Sequence, residues 1–257
     1  MSIKRRAFLT LLGTVPTVFA ASRRVHAAQK PVVFLAGATG RNGSAVLRAL
    51  LALPKAPFTV IAMSREPAKA RDKFPQARWV EGDVTQPESL ARAMQGGVDI
   101  IVSAVATAQG EGPNRPERVD AQGTRNLIAA GRQAGAKRFV IITSSVSGMV
   151  DHPLNKRVGN VLVYKAEAEK ALYESGMDYV VVGPAGMTDE PAGQKKILLI
   201  PRDQYRPGMT IGRDDTARVI VHALTDPGAA NRTFTVAYGD GPDDGSWKAA
   251  FATLPRR

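Results

Sequence analysis

Seven residues, Gly37-Ala38-Thr39-Gly40-Arg41-Asn42-Gly43, hold the most specific chemical signal in the chain. Three glycines at this spacing suit a pyrophosphate cradle. Gly37 permits a tight turn, Gly40 lets the backbone approach the phosphates, and Gly43 lets a helix pack closely on the preceding strand. The diphosphate of a dinucleotide would then sit on the exposed amides of this turn, around Thr39 to Asn42. A second signal decides which dinucleotide. Ser64-Arg65 stands where an acid would bind the adenosine ribose and an arginine would accept a 2′-phosphate. Ser64 and Arg65 suit the phosphate, Arg41 can reach the same place, and Glu66 falls one residue late and starts a helix. The expected cofactor is therefore NADP(H). Other chemistries are excluded or disfavoured. There is no cysteine, so no thiolate nucleophile, thiolate metal site or disulfide. His26, His152 and His222 are far apart, and no metal site is expected.

The glycine turn is informative because of what flanks it. Residues 32–36 are an apolar run of the kind buried on both faces of a parallel sheet. Residues 42–53 carry apolar positions at helical spacing and stop at Pro54. The alternation then repeats. Strands are expected at 58–63, 77–80, 98–105, 138–143, 179–182 and 232–237. Helices are expected at 66–74, at 118–133, at 164–174 and from 213 to about 224, with one more opened by a capping box at Thr85-Gln86-Pro87-Glu88. This pattern predicts one α/β domain over 30–257, a Rossmann-type doubly wound, mostly parallel sheet with helices on both faces. Residues 187–212 have weak periodicity, with a strand-like piece at 197–200, and read as a flap on the substrate side.

These residues together resemble a known group. The glycine turn, Ser64-Arg65, Gly82-Asp83-Val84, the run from Val119 to Asn126 and the run from Phe139 to Ser145 are similar to the atypical short-chain dehydrogenase/reductases of the NmrA-like, NAD(P)H-binding kind. Tyr164-Lys165 and Ser175 to Tyr179 continue the resemblance, which spans roughly 32–224. It implies that Asp83 and Val84 sit beside the adenine and that Ala104 and Val105 line the nicotinamide half. It implies that Thr143, Ser144 and Ser145 end a strand next to the reacting centre. Lys165 would reach the nicotinamide ribose, and Pro184 would begin the loop over the carboxamide. Lys165 and Ser144 are the catalytic candidates.

Two departures bear on catalysis. Many enzymes of the superfamily place a tyrosine four residues before the lysine, on the same helical face, as the proton donor. Here that residue is Val161, and Tyr164 lies about 100° round the helix from Lys165. Gly183 precedes Pro184 where relatives often carry arginine. The expected function is an NADP(H)-dependent reductase that passes hydride to a small carbonyl, quinone or flavin-like acceptor, the last two needing less specialised protonation. The competing expectation is a non-catalytic NADP(H) binder, either a redox sensor or an assembly factor.

Residues 1–27 read as an address. Lys4, Arg5 and Arg6 precede a 14-residue, mostly apolar stretch over 8–21, too short to span a bilayer. Val25-His26-Ala27 supplies small residues for cleavage. The run Arg5-Arg6-Ala7-Phe8-Leu9 resembles the twin-arginine export motif, so a periplasmic protein without stable membrane insertion after cleavage is expected. The formal charge is +12, but five basic residues fall in this segment and leave 30 basic against 23 acidic residues elsewhere. Those are scattered without aromatic interleaving. The partner expected is a small-molecule substrate and not nucleic acid.

Overall fold

The computed structural model describes residues 30–107 and 110–256. The export signal expected over residues 1–27 lies outside the described residues. Consecutive residues of β1 (Val32–Ala36) are apolar, and all but the first are buried. Val33 and Leu35 enter the core on one face of the sheet, while Phe34 and Ala36 enter the core on the other. A strand that buries both its faces belongs in the middle of a layered α/β domain. That is where β1 lies.

The remaining strands are β2 (Thr59–Ser64), β3 (Arg78–Glu81), β4 (Ile100–Ser103), β5 (Arg138–Ile142), β6 (Asp178–Pro184), β7 (Gly186–Thr188), β8 (Ile197–Ile200), β9 (Thr210–Gly212) and β10 (Arg232–Tyr238). Eight of the ten form one sheet in the order β3-β2-β1-β4-β5-β6-β10-β8. Every pairing in it is parallel except that of β8 with β10. The doubly wound architecture predicted from the β-α alternation is thus present. Between β1 and β4 the winding reverses direction, and a crevice opens at their carboxyl ends.

Helices cover both faces. Helix α1 (Arg41–Leu51) packs against α7 (Arg213–Ala223) over the core that contains Leu35, Leu47 and Val219. On the opposite face α3 (Pro87–Ala93), α4 (Gly123–Gln133) and α6 (Val161–Tyr173) bury Leu90, Leu127 and Leu172 with Phe34 and Phe139. Between β2 and β3 lies α2 (Pro67–Lys73). Short helices α5 (Pro153–Arg157) and α8 (Trp247–Ala250) complete the set.

Two expectations change. The capping box does not form: no side chain caps α3, and the Thr85 hydroxyl donates instead to Asp83 Oδ1 at 2.8 Å. Pro87 at the first turn already fixes the helix start there, without a side-chain cap. The segment 187–212 is also more regular than a flap. Its β8 belongs to the main sheet, while β7 and β9 form a separate two-stranded parallel ladder.

Candidate functional site

The turn after β1 is built as its glycines require. Gly37 has φ +77, and a Cβ there would stand 2.8 Å from the Ala104 backbone. A Cβ on Gly43 would stand 2.0 Å from the Gly37 carbonyl oxygen. No residue other than glycine fits either place without moving the backbone. Gly40 N–H donates to the Gly37 carbonyl at 3.1 Å, and Gly40 caps α1 with no side-chain hydrogen bond. The first turn of α1 therefore keeps its amides available, the arrangement that holds a phosphate group.

A cavity of about 310 Å³ opens in front of this turn, at the reversal between β1 and β4. It brings together Gly37, Thr39, Gly40, Arg65, Asp83, Val84, Ala104 and Val105. These come from four separate strand ends. Met63, Ala106, Thr107, Asn114 and Val119, which the sequence does not mark as site residues, also line it. Val119 lies in a run already singled out, whereas the loop over 106–114 has no periodic signal.

The lining is held from behind. Asn126 Nδ2 on α4 donates to the Val84 carbonyl at 2.8 Å. Asp83 Oδ1 accepts from Thr85 N at 2.8 Å, and Asp83 N donates to Ser89 Oγ at 2.9 Å. Arg65 Nη1 reaches Asn114 Oδ1 at 3.4 Å across the mouth. Arg65 also lines an adjoining polar cavity with Arg92. Ser64 is buried, and its hydroxyl accepts from Glu66 N at 3.0 Å, so it shapes the turn that presents Arg65.

Several candidates stand apart from this lining. Asn42 and Gly43 lie in the first turn of α1 behind it. Arg41 points away and pairs with Asp189. Lys165 is buried, and its ammonium donates to Asp120 Oδ1 at 2.7 Å. Asp120 sits in a π-helical turn, Glu117–Gln122, which leads into α4. Its second oxygen accepts from Thr107 N at 3.4 Å. The lysine thus reaches the cavity wall through a carboxylate. A π-turn of this kind offsets the helix and commonly marks a functional position.

At the end of β5, Thr143 N donates to the Val182 carbonyl at 2.8 Å and Ser145 N to the Pro184 carbonyl at 3.1 Å. Ser144 Oγ accepts from Val146 N at 3.3 Å. Thr143 Oγ1 accepts from Arg202 Nη2 at 3.4 Å. Arg202 in turn makes a two-pronged pair with the buried Glu169 of α6, at 2.7 and 2.9 Å. A Cβ at Gly183 would stand 2.9 Å from the Ser144 carbonyl oxygen. The arginine expected there from relatives would therefore collide with this backbone.

The comparisons agree with this geometry. Residues 37–227 match the sequence profile described as NAD(P)H-binding. An uncharacterized chloroplastic protein of Arabidopsis thaliana is 31% identical over 243 residues, covering 89% of this chain and 84% of its own. The sanguinarine reductase of Eschscholzia californica is 27% identical over 265 residues, covering 88% of this chain and 97% of its own. Among solved structures, the anaerobillin reductase of Escherichia coli O157:H7 superposes with a TM-score of 0.67 at 24% identity, over 82% of this chain and 98% of the other. With a profile match across most of its length and a glycine turn built to cradle a diphosphate, the chain belongs to the NAD(P)H-binding family of Rossmann-fold proteins, and its cofactor is NAD(P)(H).

Proposed function

We propose that this protein is an NADP(H)-dependent reductase of the NmrA-like kind, acting on a small carbonyl, quinone or flavin-like acceptor. The observation that carries the reading is the cavity itself: a diphosphate cradle at one end, Arg65 at its mouth and Ala104-Val105 at the other wall. The reductase names borne by relatives support the direction of the chemistry. The nicotinamide supplies the hydride when bound. The chain's own work is to orient and to exclude water. Thr39, Gly40 and the first turn of α1 take the diphosphate. Arg65 takes the 2′-phosphate, Asp83 and Val84 flank the adenine, and Ser144 presents a hydroxyl to the acceptor.

Two residues support a quinone or flavin over a ketone. Val161 removes the usual phenol, and Lys165 is committed to Asp120. Quinones and flavins take hydride without a dedicated proton donor held against the reacting oxygen. Stopped-flow absorbance of NADPH against a panel of quinones, flavins and aldehydes tests this. Oxidation by at least one of these acceptors is expected, faster with a quinone or flavin than with an aldehyde. The commitment of Lys165 to Asp120 also favours a second reading, a non-catalytic NADP(H) binder serving as a redox sensor or assembly factor. Tight binding with no turnover of any acceptor would establish it.

The twin-arginine run and the apolar stretch after it support export to the periplasm. That route carries proteins already folded, which suits a domain loaded with cofactor before it leaves.

A further inference from the structure

Exposed arginines elsewhere in the domain meet carboxylates. Arg48 holds Asp214 at 2.7 Å, Arg115 holds Glu117 at 2.9 Å and Arg125 holds Glu167 at 3.0 Å. Arg65 meets an amide instead. Its Nη1 donates to Asn114 Oδ1 at 3.4 Å, and among the described residues it has no ion-pair partner. Asp83, an acid in the same cavity lining, already accepts from Thr85 N and Oγ1 at 2.8 Å. A guanidinium only donates, so the Asn114 oxygen must face Arg65, and its Nδ2 with two N–H donors lies on the other branch. Among the described residues nothing accepts from that Nδ2. Asn114 is half-buried and lines the cofactor cavity together with Arg65. Its backbone is held in place. Thr107 Oγ1 donates to the Asn114 carbonyl, and Thr107 N donates to Asp120, the carboxylate buried against Lys165. The amide is therefore a neutral donor set beside an uncompensated cation, in the cavity itself.

We propose that Asn114 is a second ligand of the adenosine 2′-phosphate and a determinant of the preference for NADP(H) over NAD(H). This rests on the NADP(H) reading above. Asn114 Oδ1 steers the Arg65 guanidinium without cancelling its charge, as a carboxylate would. Its Nδ2 donates to an oxygen of the phosphate that Arg65 holds. NAD(H) presents an uncharged 2′-hydroxyl there and gains little from either contact.

The test is a set of dissociation constants for NADPH and NADH, measured by titration calorimetry on the whole protein. Asn114→Ala is expected to weaken NADPH about two- to tenfold and leave NADH nearly unchanged. Asn114→Asp keeps the shape and the oxygen facing Arg65 but puts a carboxylate oxygen where the donor stood. It is expected to weaken NADPH more than Asn114→Ala does, again sparing NADH. Unaltered NADPH binding in Asn114→Ala overturns the proposal. So does an equal loss for NADH, which would make Asn114 a structural residue of its loop. Arg65→Ala separates this proposal from the reading beneath it. If Arg65→Ala lowers the NADPH-to-NADH preference and Asn114→Ala does not, only the role of Asn114 falls. If Arg65→Ala leaves that preference intact, the 2′-phosphate assignment falls and the role of Asn114 with it.

Discussion

At the scale of single residues, the glycine turn was readable because the constraint is local. Gly37 and Gly43 are six residues apart, and their clash with each other's space follows from the turn alone. Gly43→Ala places a methyl 2.0 Å from a backbone oxygen. It should destabilise the fold by about 1–3 kcal/mol, as overpacking does, and lower NADPH affinity by distorting the cradle. Thermal melts with and without cofactor check both. The partner of Lys165 was not readable. Asp120 is 45 residues away, and only the packing of α6 on the π-helical turn joins them. Both groups are buried, so removing one leaves the other uncompensated. Asp120→Leu alone should cost about 3–5 kcal/mol, and the double change with Lys165→Met should recover much of it. A double change as damaging as the sum of the singles would mean that the two side chains act independently.

At the scale of elements, apolar periodicity located every strand of the main sheet and the longer helices, because burial on one or both faces writes itself into the sequence. It located ends less well. The strand expected over 98–105 closes at Ser103, which frees Ala104 and Val105 to line the cavity. The β7–β9 ladder left no trace, since two three-residue strands held mainly by backbone bonds need no side-chain pattern. What fastens this region is a buried polar clasp. Asp215, fully buried at the start of α7, accepts from Gly193 N at 3.0 Å and Tyr238 Oη at 2.8 Å, and pairs with Arg218 at 2.6 Å. Arg218 also holds Asp243 at 2.8 Å. Desolvation raises the Asp243 carboxyl, but the Gly245 amide and Arg218 outweigh it and leave it below its ordinary 3.8. A carboxyl with a depressed folded value adds stability above its unfolded value and loses it as pH falls through the folded one. Asp243→Asn should therefore lower Tm at pH 7, and the gap to wild type should close as pH is brought below about 3.8. A gap constant from pH 7 to pH 2 would show that Asp243 acts by packing.

At the scale of the whole molecule, the proposed address and the binding site constrain each other. Under the proposed export, replacing Arg5 and Arg6 with lysine should hold the precursor in the cytoplasm, as fractionation and blotting would show; normal export of the double variant would refute the twin-arginine reading. A protein loaded before export has to keep its ligand, and slow release requires tight binding. Near-stoichiometric dinucleotide should then be released on denaturing protein purified from the periplasm. The binding and turnover expectations depend on one claim, that the cavity at the reversal between β1 and β4 binds NADP(H) with Arg65 on its 2′-phosphate. Calorimetric titration of wild type and Arg65→Ala with NADPH and NADH tests it most directly. A charge-assisted contact is worth about 1.5–3 kcal/mol, so Arg65→Ala should weaken NADPH by roughly 10- to 150-fold and leave NADH nearly unchanged. Equal losses for the two cofactors, or a wild type that binds neither, would contradict it.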